Sequence, residues 1–205
     1  MKNKYLAVFL IFFLWLMLPC QSTAQTWNFI KEKDGVKLYS CREVGKKLQS
    51  FRGVAEIKAP AEKVFALIED INHRDWWDKN AELIRLLKYE KNKQAQYYLV
   101  YKMPWPFINR DLCVNATTTI DQASGEYRIT AIPLAGSCHE NKDWIRIKEY
   151  RQAWTVRHVS QYRTQVELEF FVDPEEQLPE WLLNMILIDS PINLIKGLRR
   201  QFEKK

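Results

Sequence analysis

"WLLNMILIDSPINLIKGLRRQF", residues 181–202, closes the chain and decides its fold. Trp181, Met185, Ile188, Ile192, Ile195, Leu198 and Phe202 recur at intervals of three and four, which is one continuous helical face. Leu182, Leu183, Ile186 and Leu187 widen it. Ser190 before Pro191 predicts an internal restart, with Ser190 as N-cap and Pro191 at the first helical position. A kink or break near Asp189 follows from that. Lys196, Arg199, Arg200, Lys204 and Lys205 crowd the last turns, where cations suit the helix dipole. A helix this apolar needs a cover, and most of what precedes it reads as strand.

Working back towards the N-terminus, residues 162–172 alternate cleanly. Val166, Leu168, Phe170 and Val172 make a greasy face that must look inward, against Gln165, Glu167, Glu169 and Phe171. In 144–158 the set Tyr150, Gln152, Trp154 and Val156 mixes polar and apolar groups. A solid core rarely buries a residue such as Gln152 without a partner, whereas a ligand pocket holds a few such groups. Further strands are predicted at 36–44, 48–58, 83–89, 94–103, 111–120 and 127–132. The later ones are joined by short turns, so an antiparallel meander is the natural pairing. Pro60 opens a helix whose stripe is Val64, Phe65, Leu67, Ile68 and Ile71. Residues 26–34 read as a short helix or turn, and 74–80 as a second helical piece in which Arg74 and Asp78 pair at i, i+4. Trp76 and Trp77 read as packing residues. The expected architecture is α+β, with a curved antiparallel sheet gripping the last helix. Periodicity alone does not separate a hollow interior from a solid one.

The N-terminus is of another kind. Lys2 and Lys4 precede an unbroken apolar run over 5–18, and Ser22-Thr23-Ala24 offers a small-residue cleavage site. This predicts a signal peptide over 1–24 and export of residues 25–205 to the periplasm or the extracellular space. Retention as an N-terminal anchor, or lipidation of Cys20, are the alternatives. Loss of the two lysines lowers the formal charge from +6 to +4. That mild basicity favours weak contact with anionic lipid surfaces. No basic and aromatic alternation suggests a nucleic-acid partner. Cys41, Cys113 and Cys138 remain after cleavage. Three buried thiols is the expectation, with one pair and one free thiol as the alternative. No CxxC occurs and the three histidines are scattered, so no metal and no cofactor are expected.

"YKMPWPFINRD", residues 101–111, sets Trp105 and Phe107 in a turn stiffened by Pro104 and Pro106. Either these rings stand out from the sheet or they pack beneath the last helix. Arg110 and Asp111 follow on a strand, where neighbours point to opposite faces, so at most one of them faces inward.

Four segments carry a resemblance. "GVKLYSCRE" at 35–43, "FRGVAEIKAPAEKVFALIEDINHRDWWD" at 51–78, "PWPFINRD" at 104–111 and "DPEEQLPEWLLN" at 173–184 occur in this order. Together they resemble the START (StAR-related lipid transfer) family of the Bet v 1-like helix-grip superfamily, over 27–202. Arg74, Trp77 and Asp78 match the family's Arg-x-x-Trp-Asp segment. Phe107 stands at a leucine position, and Glu176 where glycine is common. The resemblance implies a helix-grip fold enclosing one lipid or other hydrophobic ligand, for transfer or sensing, in a monomer that touches membranes transiently. On that basis Tyr101, Trp105, Phe107, Trp154, Phe170, Met185 and Ile188 are expected to line the cavity, with Arg110 as the headgroup partner. The alternative is a helix-grip enzyme of cyclase or hydrolase type, drawing on Tyr98, Tyr101, Arg110, Asp111 or His158. No catalytic residue is assigned.

Overall fold

A computed structural model describes residues 26–203 except 44, 135, 137, 139 and 140. The signal segment predicted at 1–24, and Cys20 within it, lie outside the described residues. Ten strands form one open sheet: β1 (Asn28–Lys33), β2 (Val36–Cys41), β3 (Ser50–Ile57), β4 (Ala81–Glu90), β5 (Gln94–Tyr101), β6 (Arg110–Asp121), β7 (Glu126–Pro133), β8 (Ile145–Arg146), β9 (Tyr150–Ser160) and β10 (Arg163–Val172). Helix α1 (Ala61–Glu69) follows β3, and α2 (Glu180–Asn184), a π-helical turn (Met185–Asp189) and α3 (Ser190–Glu203) close the chain. The order across the sheet is β1-β2-β3-β10-β9-β7-β6-β5-β4, antiparallel throughout, while the short β8 runs parallel to the start of β6.

The final helical segments pack on β2, β3 and β10. There Leu38, Ile57, Leu168, Ile192, Ile195 and Leu198 are fully buried, and this half of the molecule is solid. Val166 and Leu168 face it, as their alternation predicts. Helix α1 buries Val64, Phe65 and Ile68, with Phe65 stacked on Tyr127 of β7 at 4.5 Å.

Several local expectations are corrected. Residues 28–33 are the edge strand β1, not a helix or turn. The segment 71–80 is a series of turns rather than a helix. Arg74 and Asp78 do not pair there: Arg74 donates to the Ile84 carbonyl, and Asp78 accepts from Tyr101. The last helix does not restart at Ser190, whose backbone is α-helical (φ −59°, ψ −48°). A wide π turn absorbs the irregularity instead, and the Ser190 hydroxyl donates to the carbonyl of Met185 five residues back. The extra residue in that turn shifts the buried stripe to Leu182, Ile186, Leu187, Pro191 and Ile192. Trp181 is left 57% exposed.

The cysteines differ from expectation too. Cys113 of β6 is bonded to Cys138, and Cys41 is the buried free thiol. The bond ties Cys138 to the outer face of β5 and β6, where Leu134 and Trp144 pack on Tyr98 and Val100. Closing a loop of this length (sequence separation 25) stabilises by about 3 kcal/mol through the unfolded chain. Reduction is therefore expected to lower the unfolding free energy by that amount and the denaturant midpoint with it. A Cys113→Ser, Cys138→Ser double variant should show the lower midpoint with or without reductant.

Candidate functional site

The second half of the sheet is hollow. Strand β5 alternates, and Tyr97, Leu99 and Tyr101 turn their side chains towards α1 and α3. Leu112 and Ala116 of β6, Ile129 and Ala131 of β7, and Tyr150, Gln152 and Trp154 of β9 continue this wall. Phe170 and Val172 of β10 complete it, and Ile186, Ser190 and Leu194 close it from the helical side. The cavity runs from Gln94 and Thr118 at one end to Met103 and Pro174 at the other. Its unfilled space, counted out to solvent at the mouth, is about 1350 Å³. The walls stand close: only about 150 Å³ admits the centre of a water molecule.

Most of the wall is apolar, with polar groups in two sets. In the first, the Asp78 carboxylate accepts from Tyr101 Oη at 2.9 Å, from the Asn80 backbone N–H at 2.9 Å and from Ser190 Oγ at 3.5 Å. This joins the 71–80 segment to β5 and α3, and burial pushes the Tyr101 phenol up. In the second, Tyr150 Oη donates to Gln152 Oε1 at 2.8 Å, with Tyr97 close by. Aromatic rings back both sets, Trp77 against Tyr97 at 6.2 Å and Phe170 against Tyr150 at 6.0 Å.

Arg110 and Asp111 both lie buried, at 3% and 1% exposure. They are not each other's partners. Arg110 borders the cavity, and all three of its guanidinium nitrogens are engaged, by the Ile108 and Pro174 carbonyls and by Glu176 Oε2 at 3.1 Å. It fastens the 173–176 turn to β6. Glu176, at the position where the motif has glycine, supplies the countercharge. Asp111 sits beside β8, opposite Arg146. It takes a two-point ion pair from Arg146, Nε–Oδ1 at 2.7 Å and Nη2–Oδ2 at 2.9 Å, and a hydrogen bond from Tyr98 Oη at 2.9 Å. Burial first, and this carboxylate second, push the Tyr98 phenol up to about 12.

Of the residues expected at the site, Tyr101, Arg110, Trp154 and Phe170 come together in the wall. Trp105 does not: it is 93% exposed, held out by a turn in which the Phe107 N–H donates to the Pro104 carbonyl and the Trp105-Pro106 bond is cis. Phe107 packs edge-on against Trp181 at 6.3 Å, outside the wall. Met185 and Ile188 flank the helix because of the π turn, and Ile186 takes the place expected of them. Sequence reading missed Tyr97, although it lies four residues before Tyr101 on the same face of β5. Among the described residues, no group of three or more His, Cys, Asp or Glu is placed to hold a metal ion.

A family model described as START domain matches residues 15–205. The chain belongs to the START domain family. An uncharacterized protein of Pseudomonas aeruginosa is 33% identical to it, with 89% of each chain covered. Phosphatidylcholine transfer protein of Homo sapiens is 24% identical over 85% of this chain and 82% of its own length. The crystal structure of a StAR-related lipid transfer protein fragment from Xanthomonas axonopodis superposes with a TM-score of 0.76 at 25% identity, covering 87% of this chain and 99% of that one. The open ten-stranded sheet with its closing helix is the START helix-grip fold.

Two features of this START domain bear on the catalytic alternative. Asp111 is held by Arg146 and Tyr98 rather than by a histidine. His158 is exposed near the end of β9, outside the cavity wall. General acid–base work needs two groups converging on one reacting atom, and Asp111 and His158 do not converge.

Proposed function

We propose that this START domain carries one lipid in the cavity between sheet and helix, and that it works after export. The observation that carries this reading is the cavity itself: an apolar wall with a few placed polar groups, which is how sites for hydrophobic ligands are built. The relatives named as lipid transfer proteins support the ligand class. Export is supported by the signal-like residues 1–24 and by the Cys113–Cys138 bond, which persists in an oxidising compartment. Among the described residues no helix is long and apolar enough to cross a membrane.

A lipid must leave and enter a bilayer. Trp105, Ile108 and Trp181 are exposed by 93%, 50% and 57%, beside the end of the cavity bordered by Met103 and Pro174. Exposed aromatics joined to aliphatic neighbours mark a surface that meets an apolar partner. Tryptophan settles readily at the water–bilayer interface. This end is the proposed point of transient membrane contact.

Native mass spectrometry of the protein purified from the exported fraction, followed by organic extraction, tests the reading. The expected result is a single bound mass that extracts as a lipid, on a chain shortened by residues 1–24. A bare mass, together with no binding of phospholipid, sterol or fatty acid from a panel, would sink it.

A further inference from the structure

Strand β4 ends the sheet, and its outer edge pairs with nothing among the described residues. Natural edges are usually blunted by charge or cover, because bare N–H and C=O groups invite another strand. This one is ten residues long and largely apolar. Leu83, Leu86, Leu87 and Tyr89 are 38–47% exposed, the densest run of exposed apolar side chains among the described residues. A bulge at Leu87 shifts the alternation of the strand by one residue. Arg85 and Glu90 are thereby set on one face, opposite Tyr98 and Gln94, while Leu86 and Tyr89 share the other, opposite Tyr97 and Ala95. Without the bulge, residues an odd number apart would stand on opposite faces.

This phasing makes the strand complementary to itself. When a second β4 is laid antiparallel beside it so that Arg85 faces Glu90 of the second copy, Leu86 faces Tyr89 of that copy. Each pair shares a face, as cross-strand neighbours must, and a two-fold contact makes each pair twice. Arg85 is exposed and makes no ion pair among the described residues. Glu90 pairs with the exposed Lys88 beside it, at 2.6 Å, so both charges can answer a partner across the edge. A slip that sets Arg85 against Lys88 brings like charges together, and one that sets Glu82 against Glu90 does the same, so charge favours the first register. An unrelated strand has no reason to match this order of charged and apolar side chains, whereas a second copy matches it by symmetry. We propose that two copies of this chain associate antiparallel through their β4 edges, joining their sheets into one. This departs from the monomer that the family resemblance implies. The contact covers Tyr89, which borders the Gln94 end of the cavity, and leaves the exposed Trp105 at the other end free.

Two short strands bury less than a standard interface, so the dissociation constant is expected on the order of 10 μM. Sedimentation velocity of the purified protein from about 1 to about 500 μM should therefore pass from monomer to dimer. Arg85→Glu and Glu90→Arg should each weaken the dimer about tenfold or more, by setting like charges against each other in both pairs. Each variant should keep its melting temperature, since both side chains are exposed. Mixing the two variants should restore a dimer, because each like-charged edge then meets its opposite. A protein that stays monomeric throughout the range, or a dimer untouched by Arg85→Glu, would overturn the inference. So would a mixture of the two variants that stays monomeric, since another register or another surface would then hold the unmodified copies together.

Discussion

Arg146→Ala is expected to destabilise the fold by about 3–5 kcal/mol, far beyond what a surface ion pair contributes. The difference lies in where the partner sits. Asp111 is 1% exposed, so deleting the guanidinium leaves a carboxylate in a dry site with one phenol to satisfy it. Arg146 itself keeps 24% of its side chain in contact with solvent. Removing the other member is therefore milder: Asp111→Asn leaves a cation that can turn to water. The double variant should recover part of the loss, because the uncompensated charge is gone. Denaturant midpoints of the two single variants and the double variant close this cycle. A loss below about 1 kcal/mol for Arg146→Ala would mean that water reaches the Asp111 carboxylate.

The same ion pair shows where sequence reading stops. Alternation along 162–172 and the three-and-four spacing of 181–202 are local signals, and they placed β10 and the closing helix. The burial of both Arg110 and Asp111 is not local. On β6 alone the two side chains diverge, and one of them should meet water. Asp111 is covered by residues more than twenty positions later, tied down by Cys113–Cys138. A cysteine count does not show that tie, since the partner of Cys113 is set by the path of the loop. The π turn is likewise silent in sequence. It depends on how the helix seats against β3 and on the Asp78–Ser190 contact, and it moves the wall position from Met185 and Ile188 to Ile186. β1 departs from the helix or turn expected at 26–34 for a third reason. Its pattern NFIKEK is almost wholly exposed, so no alternation is imposed on it. Tyr97 was legible: counting back two at a time from Tyr101 reaches it.

Gly197→Ala is the substitution expected to link fold and cavity most directly. In an ordinary helix interior this change stabilises by about 1 kcal/mol, since alanine is the better helix former. At this position the sign reverses. A β-carbon on Gly197 would fall well inside contact distance of the Trp76 carbonyl oxygen, with the Trp76 carbonyl carbon at 3.1 Å. Both obstructing atoms are backbone, so no rotamer change relieves them. Either α3 or the 71–80 segment must move, and overpacking of this kind costs about 1–3 kcal/mol or more. The expected net result is a loss of up to about 2 kcal/mol. Gly53 supplies the control. Its added β-carbon would meet the Cδ1 end of Ile195 at 2.8 Å, a side-chain tip that can rotate, so Gly53→Ala should cost less. The consequence of Gly197→Ala extends to the ligand, because Trp76, Trp77 and Asp78 are cavity wall. Pushing that segment off α3 parts the Asp78–Ser190 contact and opens the slot on its helical side. Faster release of bound lipid is therefore expected together with the lower melting temperature, whereas Gly53→Ala should leave release unchanged. Slower release from Gly197→Ala would show that the lipid leaves by another route, past the Trp105 turn.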